Sequence, residues 1–343
     1  MSTVKKITVY DIAKRAGVSV ATVSRVINNN PKVDYTTRKR VLDICREQNY
    51  YPTERKKAEY VNIGVVINKV SDPSAILSDY VLGILHGALE YCQSNDATLS
   101  ILTFDAEAMQ HPELFVQKLL ARGIQGVFFI NPKVNAPWVE TLCELGFPCA
   151  CVGSYFSNPL ISSINIDNRE GIRLAIEHLR ELGHRKIGYV AIQSVDYDAT
   201  ERHEAFVAYM GREADPDTLI MIKPDGGDHR KATSQYFDRK LPALEGRLPE
   251  AFVCLNDSVA TGLIHSLRKR GIQVPEDVSV VGYDDYSASM YHTPTITTIR
   301  NPVLKTGSLA CSNVAEAIAG NRSVLRRLII PKLIKRESTA KRV

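Results

Sequence analysis

The chain reads as a small all-α helix-turn-helix headpiece joined to a larger α/β sensor domain of two lobes, and three observations carry that reading. Positive charge is concentrated at one end: the first sixty residues hold thirteen Lys and Arg against six Asp and Glu, the remainder thirty against thirty-two. That distribution suits phosphate neutralisation, and a solvated basic tail would share it. Residues 8–48 hold three short helix-periodic segments, the first two separated by a glycine turn. From Val61 onward, short β-branched or aromatic runs alternate with helical stretches, the pattern of parallel sheets covered by helices on both faces. At 343 residues, with 44% hydrophobic and 24% charged, the chain has a globular composition and length for more than one domain.

The first helix opens with the cap spacing Thr8-x-x-Asp11 and carries Val9, Ile12, Ala13 and Ala16 on one face. Gly17-Val18-Ser19 breaks it: the glycine suits a left-handed turn position, the valine plugs the core, and the serine caps the next helix. That second helix, Val20 to Ile27, turns Val23, Val26 and Ile27 inward and leaves Val20, Ala21, Ser24, Arg25 and Asn28 outside or leading. A third helix starts behind Asp34 and runs Thr36 to Gln48, with Val41, Leu42, Ile44 and Cys45 inward. Helix, three-residue turn, helix is the outline of a DNA-binding unit whose second helix lies in the major groove, although a structural three-helix bundle shares it.

The run from Thr8 to Asn28, TVYDIAKRAGVSVATVSRVIN, resembles the headpiece of the lactose/galactose repressor (LacI/GalR) family. The resemblance implies that Val20, Ala21 and Arg25 face base edges while Tyr10, Ser19, Thr22, Ser24, Asn28 and Thr37 hold phosphates. The chemistry agrees: an arginine fork matches a guanine edge, and small apolar side chains lie against thymine methyls. One departure stands out. The family follows Tyr-x-Pro with a hinge helix whose leucine wedges into the minor groove, whereas Pro52 is followed here by TERKKAEY, with Glu59 at the leucine position. A carboxylate is not driven between base pairs as an apolar wedge is, and Arg55, Lys56 and Lys57 remain to grip phosphate.

In the sensor, strands are expected at Asn62–Ile67, Thr98–Thr103, Gly126–Ile130, Cys149–Val152, Ser163–Ile166, Lys186–Ile192, Leu219–Ile222, Ala251–Leu255, Ser279–Gly282 and Leu328–Ile334. Ten strands exceed one comfortable sheet, so two lobes with a ligand at the strand ends are preferred. The family resemblance continues through Gly123-Ile-Gln-Gly-Val127, Ile166-Asp-Asn168, His178 to Ile187, Asn256-Asp257, Val274 to Asp285 and Thr297-Thr-Ile299. It implies a periplasmic-binding-protein-like (type I) domain that dimerises through the sensor. The expected division is a headpiece at 1–52, a hinge at 53–61 and a sensor at 62–343, with chain crossings near Leu160, Tyr291 and Val324. The first lobe would then take 62–160 and 292–323, the second 161–291 and 324–343.

Carried over by position, the resemblance implies ligand contacts at Asn68, Arg202, Asn256 and Asp284. A guanidinium fork and a carboxylate bracket vicinal hydroxyls, which suits a small polar effector such as a sugar, and an ion pair between lobes is the structural alternative. Gly153 stands where the family often has aspartate, and Ala205 replaces a usual glycine, so effector identity does not transfer. Tyr80, Tyr155 and Phe156 are candidates to stack on a sugar face or to fill core and rim.

Other classes are disfavoured. The seven cysteines are scattered without C-x-x-C spacing and read as small apolar fillers, Cys149 and Cys151 included; neither a disulfide framework, a metal nor a cofactor is expected. No nucleotide-binding glycine loop, G-x-S-x-G elbow or H-E-x-x-H is present, so no enzyme is read from the chain. An exported solute-binding protein would share the sensor but should begin with a signal peptide, which Met1 to Tyr10 does not resemble. The expected partners are therefore double-stranded operator DNA, a small effector and a second copy of the chain, in the cytoplasm and away from membranes.

Overall fold

The structure, a computed structural model, describes residues 7–27, 30, 32–48, 50, 61–68, 78–104, 110–213, 216–224, 228–244, 247–321 and 323–342. Of the expected hinge at 53–61, residues 53–60, Glu59 among them, lie outside these, and Val61 already begins a strand.

The headpiece is built by local capping. Helix α1 (Val9–Ala16) begins at Thr8, whose hydroxyl accepts from the Asp11 N–H while the Asp11 carboxylate accepts from the Thr8 N–H, and it ends at Gly17 with φ 63°. Helix α2 (Val20–Ile27) is capped by Ser19, whose Oγ accepts from the Thr22 N–H at 3.1 Å. Helix α3 (Tyr35–Glu47) is capped by Asp34, which accepts from the Thr37 N–H at 2.9 Å. Ile12, Ala16, Val23, Val26, Val41 and Cys45 form one buried core. Arg38 fastens it by donating to the Asn30 carbonyl.

Beyond the headpiece the described residues make two six-stranded sheets. The first runs β11 (Arg326–Ile329), β5 (Ser162–Ile166), β4 (Cys149–Val152), β3 (Gly126–Ile130), β1 (Val61–Asn68), β2 (Ala97–Phe104). The second runs β12 (Lys332–Ile334), β10 (Thr297–Arg300), β9 (Ser279–Asp284), β8 (Ala251–Cys254), β6 (Ile187–Ile192), β7 (Leu219–Ile222). Neighbours from β1 to β5 and from β6 to β10 pair parallel, and β12 closes antiparallel on β10. Strands β3, β5, β6, β8 and β9 are buried along their whole length, which needs helices on both faces. The helices are α4 (Asp79–Ser94), α5 (Pro112–Ala121), α6 (Pro137–Glu144), α7 (Asn168–Glu181), α8 (Tyr197–Met210), α9 (His229–Leu244), α10 (Asp257–Lys269), α11 (Ser287–Tyr291) and α12 (Val303–Ile318).

The chain divides into two compact units, Met1–Ser71 with Leu85–Ile164 and Gly307–Arg326, and Asp72–Ile84 with Asn165–Thr306 and Arg327–Val343. The first packs Phe115, Leu119, Val127, Phe129, Trp138 and Leu142; the second packs Tyr189, Phe206, Phe252, Val253, Leu263 and Tyr283. Strand membership moves all three expected crossings later in the chain. Ser162–Ile166 still belongs to the first sheet, so the first crossing follows it rather than Leu160. Thr297–Arg300, in which only the family motif Thr297-Thr-Ile299 is noted above, is a strand of the second sheet, so the chain returns after it and not near Tyr291. The expected strand Leu328–Ile334 is two strands, one in each sheet, parted at Ile330-Pro331; sheet membership puts the last crossing there, while the compact units part at Arg326, near the expected Val324. A proline without an N–H cannot continue the ladder.

Candidate functional site

Two sets of residues carry chemistry. On the headpiece, the turn and leading end of α2 place Ser19, Ala21, Ser24 and Arg25 on the surface, with Val20, Thr22 and Thr37 half-buried. Tyr10 on α1 is 70% exposed, against the usual behaviour of a large aromatic. Val23 and Val26, fully buried on the opposite side, fix the rotation of α2, so the exposed face follows from the core. Ser19 and Thr22 share their hydroxyls at 2.9 Å while Ser19 caps the helix, so both are held ready at a helix N-terminus, where anions are favoured. Asn28 and the side chain of Asn68, at the end of β1, lie outside what the structure describes.

The second set lies at the C-terminal edge of the second sheet. Arg202, 4% exposed on α8, donates from Nε to Asn168 Oδ1 at 2.9 Å and from Nη1 to the Leu255 carbonyl at 2.7 Å. It meets both carboxylate oxygens of Asp284, from Nη1 at 3.3 Å and Nη2 at 2.9 Å, and its guanidinium lies 3.6 Å over the Tyr283 ring. Burial opposes its charge, but Asp284, Tyr283 and Asp198 together outweigh that and the Arg202 pKa is raised. The ion pair foreseen between lobes thus lies within one unit, between the two expected ligand residues themselves.

Asp284 ends β9 with φ 94° and is followed by Asp285 with φ 58°; each left-handed residue of this kind costs roughly 1–2 kcal/mol. Asp284 also accepts from Asn301 Nδ2 at 3.2 Å, whereas Asp285 pairs with Arg300 and Arg336. Adjacent carboxylates therefore face different partners, as expected at a strand end. Asn256 caps α10: its Oδ1 accepts from the Val259 N–H at 3.0 Å, which turns its amide Nδ2 to His229 Nδ1 at 3.0 Å. The imidazole is then the tautomer with its proton on Nε2. Burial lowers the His229 pKa, so the ring is neutral near pH 7.

Arg202, Asn256 and Asp284 are thus gathered at one sheet edge. Sequence reading missed Asn168, Asp198, Tyr283, Asn301 and His229. Asn168 and Tyr283 stood in quoted motifs without a role. Asn168 Nδ2 donates to Asp198 at 2.7 Å, and burial raises the Asp198 pKa. No sequence signal marks His229. Of the aromatic candidates, Phe156 is buried in the first unit's core and is no ligand platform; Tyr155 is 41% exposed with Arg326 5.8 Å over its ring. Tyr80 is half-buried, and burial and then the charge of Asp198 raise its pKa. The cysteines are all free thiols, and Cys151 is fully buried in β4. Among the described residues no metal-binding cluster occurs, and no helix is long and apolar enough to cross a membrane.

The chain matches two family models, one described as bacterial regulatory proteins of the lacI family over residues 8–53 and one as a periplasmic binding protein-like domain over 176–339. It is 30% identical to the HTH-type transcriptional repressor PurR of Haemophilus influenzae (strain PittEE) over 346 residues, covering 96% of this chain and 98% of the relative. It is 28% identical to the HTH-type transcriptional regulator GalR of Escherichia coli (strain K12), covering 97% and 96%. A crystal structure of the lac repressor dimer bound to operator and the anti-inducer ONPF superposes with a TM-score of 0.71 at 26% identity, covering 98% of this chain and 100% of that one.

Proposed function

Because the chain belongs to the LacI family of bacterial regulatory proteins, we propose that it is a homodimeric cytoplasmic repressor whose DNA affinity is set by a small polar effector, a sugar. Two headpieces occupy a near-palindromic operator, with Val20, Ala21 and Arg25 on base edges and Tyr10, Ser19, Thr22, Ser24, Asn28 and Thr37 on phosphates. The domain division given above, with the later crossings, is part of the same reading. Effector and DNA alter each other's affinity by one coupling factor, since both bias the same conformational equilibrium.

The observation that carries the sensing half is the buried Arg202–Asp284 pair, with Asn168 and the Asn256–His229 couple at the same sheet edge. Hydroxyls both donate and accept, so a polyol can trade places with each bond of such a network, whereas an apolar ligand would strand it. The test is calorimetric titration against monosaccharides, disaccharides, sugar phosphates and nucleobases, with Asp284→Ala as the control. A sugar signal abolished by that substitution supports the reading; a nucleobase signal replaces the ligand class. Sequences selected from random DNA should be palindromic, and random recovery would remove the operator claim.

A further inference from the structure

We infer that Asp285 is the positioning residue of the sensing site: clamped by Arg300 and Arg336, it sets the aim of its neighbour Asp284. This rests on the reading that Asp284 meets the effector.

Two consecutive non-glycine residues with φ of 94° and 58° form a turn that L side chains rarely adopt, so something must hold it. Asp284 itself is met by Arg202 and Asn301, the groups an effector would compete with, and by the side chain of Tyr286, next but one in the chain. The Asp285 side is bound from two other elements. Arg300 at the end of β10 donates from Nε to Asp285 Oδ2 at 2.6 Å, and Arg336, in the segment after β12, donates from Nη2 to Oδ1 at 2.6 Å. Arg336 is itself anchored through Nη1, which donates to the Ile296 carbonyl at 2.8 Å and to Ser289 Oγ at 3.1 Å. One residue on, the Tyr286 N–H donates to the buried Asp257 carboxylate at 2.7 Å. The Asp285 carboxylate is only 7% exposed, so its charge-assisted bonds are shielded from water. A fixed peptide at Asp285 narrows where the Asp284 carboxylate can lie, and there it meets Arg202 and Asn301. The segment after β12 thereby reaches the sensing site without touching it.

Glycine separates aim from strain. Asp285→Gly adopts φ 58° freely but has no carboxylate to clamp; Asp285→Asn keeps the shape and loses the charge; Arg300→Met removes the more exposed arginine with little threat to folding. The variants are read by arginine-labelled NMR of the full chain, since a guanidinium locked by Asp284 exchanges its Nη protons slowly. The same variants are titrated with D-galactose, D-ribose and cellobiose. The expected result is loss of the protected Arg202 signals in Asp285→Gly and Asp285→Asn and weakening in Arg300→Met. Affinity for whichever sugar binds the wild type should fall at least about tenfold, the loss of one charge-assisted bond, while operator affinity without sugar is unchanged. Arg202 signals that persist in a folded Asp285→Gly overturn the proposal whether or not any sugar binds. Collapse of those signals in a protein whose wild type binds none of the three sugars upholds the positioning role and counts against the sugar reading.

Discussion

Replacing Asp284 with Asn should destabilise the second unit far more than any surface substitution of the same kind. The side chains of Arg202 and Asp284 are each 5% exposed and meet at 2.9 Å. Asn is nearly isosteric, so the change removes charge and leaves packing. Stranding one partner of a buried pair costs about 3–5 kcal/mol. Arg202 keeps the Asn168 and Leu255 oxygens, which puts the expected loss at the lower end, about 3 kcal/mol. For a unit of this size that is a fall of roughly 6–12 °C in melting temperature. The control is Asp238→Asn, whose pair with Lys269 at 2.8 Å has side chains 50% and 38% exposed and should contribute less than about 1 kcal/mol. Differential scanning calorimetry on both variants decides. A double change, Arg202→Met with Asp284→Asn, should recover part of the loss, because no buried guanidinium is left without its carboxylate, and Asp198, which also feels Arg202, limits the recovery. If Asp284→Asn melts within about 2 °C of wild type, like the surface control, the pair is not the electrostatic centre described here.

Three further outcomes are expected. Arg25→Ala should weaken operator binding by about 1–3 kcal/mol with little change in non-specific DNA affinity, read by fluorescence anisotropy at fixed salt; equal loss on both DNAs would make Arg25 a phosphate contact. His178 and His184 bond Thr339 and the Ala340 carbonyl through Nε2, each with a buried Nδ1 that has no partner, and burial lowers both pKa values below the ordinary 6.5. The unfolded chain then binds protons first as pH falls below 6.5, so their stability contribution is present above that value and drains toward the folded pKa. Melting temperature should drop between about pH 7 and 5 more steeply in wild type than in His178→Gln/His184→Gln, and parallel curves would exclude these rings as the cause. Gly171→Ala sets a Cβ 2.1 Å from the Tyr283 hydroxyl, beneath the Arg202 stack, and should destabilise by about 1–3 kcal/mol in urea titration; an unchanged midpoint would mean that Tyr283 has room to move.

The headpiece was legible almost residue by residue because each device that shapes it acts within four residues. Thr8 and Asp11, Gly17, Ser19 with Thr22, and Asp34 with Thr37 all close their bonds locally. Strands such as β3, β6 and β8 were legible for the related reason that full burial leaves an unbroken apolar run. Which sheet a strand joins is not a local property, and the crossings accordingly fell too early. Thr297–Arg300 carries threonines and an arginine, and its hydroxyls serve Asp257 and the main chain around Arg336, so no apolar run announced a strand. Pairing across 82 residues, as between Arg202 and Asp284, leaves no periodic trace, and left-handed backbone at an aspartate has none either.

The density of bonds around Arg202 bears on how an effector would be read. Nε, Nη1 and Nη2 all have partners within the protein, so on the proposed reading an effector hydroxyl would exchange one bond for another rather than add one. An exchange of that kind yields only about 0.5–1.5 kcal/mol per bond, which favours modest affinity and high sensitivity to missing hydroxyls. It also sets the role of the guanidinium. A lysine could supply one charge but not the fork that serves Asn168, the Leu255 carbonyl and both Asp284 oxygens from one plane over Tyr283. If Asp284 meets the effector as proposed, a change in the Asp284 turn acts on a segment bound, through Asp285, to the end of β10, from which the chain leaves the second sheet.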